Sequence, residues 1–131
     1  MKKTLLLLAT LGMLLSCTKT GVENYHFVNN NTLDEIIADY TLRTGFHQSV
    51  VVPARSELRL TFPDDFFPGD PYDTYSSFYI LNVQGDTIMS AIPDDRYDLG
   101  NWVLDEDIQE PDIYTKICIH NYILVVKHKS N

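Results

Sequence analysis

Apolar and polar residues alternate along most of this chain. Glu57 to Phe62 sets Leu58, Leu60 and Phe62 on one side and Arg59 and Thr61 on the other, the period of a half-buried strand. Tyr25-His-Phe-Val28 alternates into a first strand, and Asn29-Asn30-Asn31 predicts a turn, because Asn tolerates left-handed dihedrals. From Leu33 to Arg43 two patterns compete. Ile36, Ala38, Tyr40 and Leu42 repeat at period two, whereas Leu33, Ile36, Ile37 and Tyr40 fit a helical stripe with Thr32 as its cap. The β-leaning Tyr40-Thr-Leu and the closing Gly45 favour a strand.

Further strands are predicted at Ser49–Val52, which Pro53 ends, and at Ser77–Val83 and Thr87–Ala91 around the hairpin signal Gln84-Gly85-Asp86. Trp102 to Leu104 reads as a short strand. Ile113–Ile119 and Tyr122–Lys127 read as a terminal hairpin turning at His120-Asn121, with Ile123 to Val126 as its most buried stretch. Three segments interrupt the alternation. Pro63 to Thr74 holds three prolines and a glycine and reads as a long loop; Ile92–Gly100 and Asp105–Asp112 read as acidic connections. Many short strands with frequent turns predict an all-β chain, an antiparallel β-sandwich or partly open barrel in a single domain over 25–131.

The first residues follow a different pattern. Lys2 and Lys3 precede an apolar run from Leu5 to Leu15, the order of an export signal. As a helix that run covers roughly 16 Å, too short for a bilayer core of about 30 Å. Leu14-Leu15-Ser16-Cys17 resembles the bacterial lipobox, in which cleavage falls just before the cysteine. The resemblance implies a signal over 1–16, Cys17 as an acylated N-terminus, and a short polar tether over 17–24. One acyl chain binds a membrane only reversibly, and several on one residue hold it stably. Lipidation of Cys17 would leave Cys118 alone. In Ile117-Cys118-Ile119 it reads as a small buried hydrophobe with no disulfide partner.

Charge narrows the partners. The chain carries 18 acidic and 10 basic residues, a net charge of -8. Loss of Lys2 and Lys3 with the signal makes the remainder more acidic. Such a surface repels phosphate backbones, which excludes nucleic acid as a partner, and it is pushed away from anionic headgroups. Thr18 stands where an aspartate often marks inner-membrane retention, so the expected location is the cell envelope, on the outer membrane.

Candidate chemistry is sparse. Asp64, Asp65, Asp70 and Asp73 share the Pro63–Tyr75 loop with Phe66, Phe67 and Tyr72, while Asp94, Asp95 and Asp98 lie in the 92–101 loop. Clustered carboxylates could serve a hard cation, although the spacing is not that of an EF-hand. The aromatics would stack on sugar rings if exposed, or close as a lid over the end of the sandwich if buried; the lid reading is preferred, as is a core role for Trp102. A small hydrolase with paired acids is a further alternative. The four histidines show no zinc spacing, and there is no phosphate loop, dinucleotide fingerprint or nucleophile elbow, so no enzyme activity and no cofactor is expected.

Tyr25-His-Phe-Val-Asn-Asn30 and Val51-Val-Pro-Ala-Arg-Ser56 are similar to the opening of the small β-sandwich lipoproteins of Bacteroidetes-type bacteria. That resemblance implies an anchored, non-enzymatic accessory or interaction module with an unknown protein or glycan partner. It also makes Asp86-Thr87-Ile88 a candidate glycosylation motif at Thr87.

Overall fold

The computed structural model describes residues 21–92 and 101–127. The signal, Cys17 and Thr18 lie outside them, as does most of the 92–101 loop with Asp94, Asp95 and Asp98. Among the described residues the regular structure is almost wholly strand. It forms β1 Val22–Asn31, β2 Ile36–Leu42, β3 His47–Val52, β4 Ser56–Arg59, β5 Tyr75–Leu81, β6 Thr87–Ser90, β7 Trp102–Asp112 and β8 Thr115–Lys127, with one short helix, α1, at Pro71–Thr74. These make two four-stranded sheets, ordered β4-β1-β8-β7 and β3-β2-β5-β6. The all-β sandwich expected from the alternation is the observed fold.

Two compact units divide it. The larger comprises Asn24–Asp105 and residues from Asn121 onward, and the smaller joins Glu106–His120 to the segment ending at Glu23. In the larger unit the inward positions of both sheets meet in one core. Val28, Leu60, Leu124 and Val126 come from one side, and Ile36, Ala38, Tyr40, Leu42, Phe78 and Ile80 from the other. Burying a side chain of this size contributes roughly 1.5–3 kcal/mol. In β2 the burial alternates without a break, with Ile36, Ala38, Tyr40 and Leu42 inside, so period two prevails over the helical stripe. Its neighbours on both edges fix it in place: Asp39 faces Ser49 of β3 and Tyr79 of β5.

Several boundaries differ from expectation. β1 does not turn at the asparagines but runs through Asn31, and it starts inside the expected tether at Val22. Asn30 is fully buried and its amide donates to the carbonyls of Asp34, Val52 and Pro53, so it closes the β1–β2 turn from within the strand. The Pro63–Thr74 loop contains α1, started by Pro71 and capped by Asp70, whose side chain accepts from Asp73 N–H at 2.8 Å.

The largest correction concerns the C-terminal third. Asp105–Asp112 is not a connection; it continues β7 into a strand of 11 residues. His120-Asn121 is not a turn either, because β8 runs unbroken through it for 13 residues. The reversal falls at Ile113-Tyr114, where Asp112 accepts from Tyr114 N–H at 2.8 Å and from Thr115 Oγ1 at 3.2 Å. Backbone pairing, which needs no apolar side chains, holds this polar strand, so hydropathy gave no sign of it.

Candidate functional site

Three places bear on function, and the sequence pointed to one of them. The unforeseen centre is His26. β1 turns it inward to complete burial among aromatic rings. Phe62, Trp102 and Tyr122 lie edge-on at centroid distances of 5.6, 5.8 and 5.4 Å, and Tyr75 is tilted at 5.3 Å. Its Nε2 is 2.7 Å from the Gly69 carbonyl and its Nδ1 2.6 Å from the Tyr75 hydroxyl. A carbonyl only accepts, so the proton sits on Nε2 and Nδ1 accepts from Tyr75. Burial pushes the imidazole down to about 4, against the opposing pull of Gly69 and Asp70. Burial likewise drives the Tyr75 hydroxyl well above its ordinary range. The pair is neutral, dry and satisfied. It ties the Gly69 loop to the core.

The second place is the outer face of the β3-β2-β5-β6 sheet. Asp39 accepts from Ser49 Oγ at 2.5 Å, and His47 Nε2 stands 3.0 Å from both of its oxygens. Burial pushes this carboxyl up, but the bonds from Ser49 and His47 outweigh it and leave the group below its ordinary value. The residue types are those of a hydrolytic triad, and the order is wrong. The carboxylate lies between serine and histidine, so no imidazole takes the Ser49 proton.

Beside this polar row runs an apolar one. Val51 of β3 faces Ile37 of β2, and Ile37 faces Leu81 of β5. On β6, Met89 pairs with the buried Ile80 and, across a register shift, Thr87 pairs with Leu81, so the exposed Ile88 lies beside the row and not in its register. Val51, Ile88 and Tyr79 are 53%, 41% and 40% exposed, and Val83 in the following turn is 59% exposed. Apolar side chains from three adjacent strands thus cross one sheet face, with Ile88 of the fourth beside them.

The third place is the acidic aromatic loop. Tyr72 is buried, and Phe66 stacks on Phe62 at 5.4 Å against the core, so these two close over it as the lid reading expected. Phe67 departs from that reading at 89% exposed. Asp64, Asp65 and Asp73 are exposed, and Asp70 is occupied as the α1 cap. Asp65 adopts φ 68, the left-handed region that Asp tolerates better than most. The carboxylates do not converge: among the described residues, no three His, Cys, Asp or Glu side chains could share a metal ion. Trp102 is a core residue, donating from Nε1 to the Ala91 carbonyl at 2.9 Å.

Thr87, exposed, opens β6 after the tight Asn82–Asp86 turn, where an enzyme could reach it. Cys118 is buried as expected, but the expected lone thiol is a correction: it is disulfide-bonded. The chain's one other cysteine is Cys17, outside the described residues. Ligand-like signals in the sequence came from exposed acids, whereas the sheet-face row depends on which strands are neighbours. No family model, curated protein or solved structure matches the chain.

Proposed function

We propose that this chain is an exported lipoprotein, held to the outer membrane through acylated Cys17, whose sandwich is a non-enzymatic module that meets a protein partner. The observation that carries the reading is the apolar row Val51–Ile37–Leu81 on an outer sheet face, flanked by the exposed Ile88. Contiguous apolar surface of this kind marks contact sites, and a row spread across a sheet face suits a protein better than a small ligand. The anchor is supported by the register of Lys2, Lys3, the apolar run, Ser16 and Cys17. A Cys17 sulfur carrying a lipid thioether has no valence left for a disulfide, so in the lipidated form Cys118 is a buried thiol.

Two experiments test the two halves. A palmitate analogue fed to cells should label the protein and fail to label Cys17→Ser; an unlabelled wild type released to the medium overturns the anchor. A photo-crosslinking residue at position 79 should trap a protein partner, and Val51→Asp with Ile88→Asp should abolish the adduct while leaving the palmitate label. An adduct that persists in the double variant overturns the docking face.

A glycan-binding reading of the 63–75 and 92–101 loops has Phe67 as its exposed aromatic among the described residues. A panel of sugars and Ca²⁺ that leaves the melting temperature unmoved discards it.

A further inference from the structure

We propose that the free edge of β7, from Glu106 to Asp112, receives an extended lysine- or arginine-bearing strand of another protein by backbone pairing. This inference rests neither on the lipid anchor nor on the apolar sheet face. Among the described strands β7 ends its sheet, with β8 beside it. An edge strand presents a row of backbone N–H and C=O groups to any extended chain. Every residue from Glu106 to Tyr114 is exposed, so among the described residues nothing covers that row.

Side chains on the strand alternate in direction. Glu106, Ile108, Glu110 and Asp112 share one face; Asp107, Gln109 and Pro111 share the other. β8 already supplies bases to the first face. His120 Nε2 lies 3.5 Å from Glu106 and Lys116 Nζ 3.8 Å from Glu110. A strand on the opposite side of β7 would meet the same carboxylates from its own edge. Ile108, 52% exposed between the two glutamates, gives that strand an apolar contact.

Charge selects the occupant. A second copy of this strand would bring Glu106, Asp107, Glu110 and Asp112 against their own kind, and like charges across a pair are destabilising. A basic strand meets Glu106 and Glu110 on one face and Asp107 on the other. Strand addition to an exposed edge is an established mode of peptide capture, with the main chain giving affinity and the side chains selectivity. Pro111 carries no N–H, so pairing centres on Glu106 to Glu110.

The probe is a labelled peptide of about ten residues alternating lysine with valine, a length matched to an ordinary strand. Added to the detergent-solubilised full chain, it should bind saturably, weaken with salt, and slow amide exchange between Glu106 and Glu110. The same peptide with alternate amides N-methylated keeps its charge and cannot pair. It should bind about tenfold more weakly or not at all. Glu106→Lys with Glu110→Lys should lower affinity for the lysine peptide by about tenfold and admit a glutamate–valine peptide instead. An unchanged far-UV spectrum certifies that the variant is folded, and Asp107→Lys serves where it is not. Equal binding of the methylated peptide overturns the proposal, as does equal binding of the acidic one to the wild type. Self-association of the peptide-free chain that protects the same amides overturns it too, by making a second copy the occupant.

Discussion

His26 and Tyr75 share a hydrogen bond of 2.6 Å in a site that water does not enter, with the imidazole accepting and the phenol donating. The second imidazole nitrogen donates to the Gly69 carbonyl at 2.7 Å. A loop that carries most of the chain's candidate ligand residues is thereby pinned to the core by a group that must stay neutral.

That neutrality gives a pH dependence with a definite sign. Unfolding returns His26 from about 4 to its ordinary 6.5. Between these values the unfolded chain binds the extra proton, so stability is full above 6.5 and falls as the pH drops toward 4. The loss amounts to about 3 kcal/mol at the acid end of the window. Asp39 and Asp112 are held below 3.8, so their contributions fade only at more acid pH. Urea unfolding at pH 7 and pH 4.5 should show the drop, and His26→Gln should flatten it. An equal slope in the variant would assign the effect to other groups.

Removing the partner tests the pair itself. Tyr75→Phe leaves the buried Nδ1 lone pair without a donor and should cost about 1–3 kcal/mol. Tyr40→Phe loses bonds to Gln48 and the Thr61 carbonyl at 3.0 and 3.1 Å, whose acceptors belong to residues that reach solvent. It should cost about 1 kcal/mol or less. Denaturation midpoints at constant m rank the two, and a reversed order contradicts the dry site.

Thiol counting separates the two fates of Cys118. Protein taken from membranes, denatured and alkylated without reductant should expose one thiol, at Cys118, where Cys17 is acylated. A disulfide between them gives none before reduction and two after it. Peptide mass spectrometry reads the difference, and the second pattern contradicts the anchor.

Gly85 sits at φ 91 in the β5–β6 turn with nothing within 4 Å of an added Cβ. Gly85→Ala therefore meets no clash and pays only the backbone term, about 1 kcal/mol. A change below a few tenths in the unfolding free energy would show that the turn relaxes to another dihedral.

The fold was legible wherever apolar residues alternate. Ile36, Ala38, Tyr40 and Leu42 in β2, and Leu58, Leu60 and Phe62 around β4, point where their period says they should. The lid position of Phe66 and Tyr72 was legible too, since exposing them would cost apolar burial. Phe67 was not, because neighbours in sequence on an irregular loop need not share a side.

What the sequence determined by itself is the period of the strands, the sign of the charge and the signal-like order around Cys17. These depend on residue type and near spacing alone. Tertiary structure decided the rest. It joined Asp105–Asp112 to β7 and His120-Asn121 to β8, where a neighbouring backbone supplies hydrogen bonds that hydropathy does not record. It buried His26 among four rings and lined up Val51, Ile37 and Leu81, because strand order brings together residues that the chain keeps far apart.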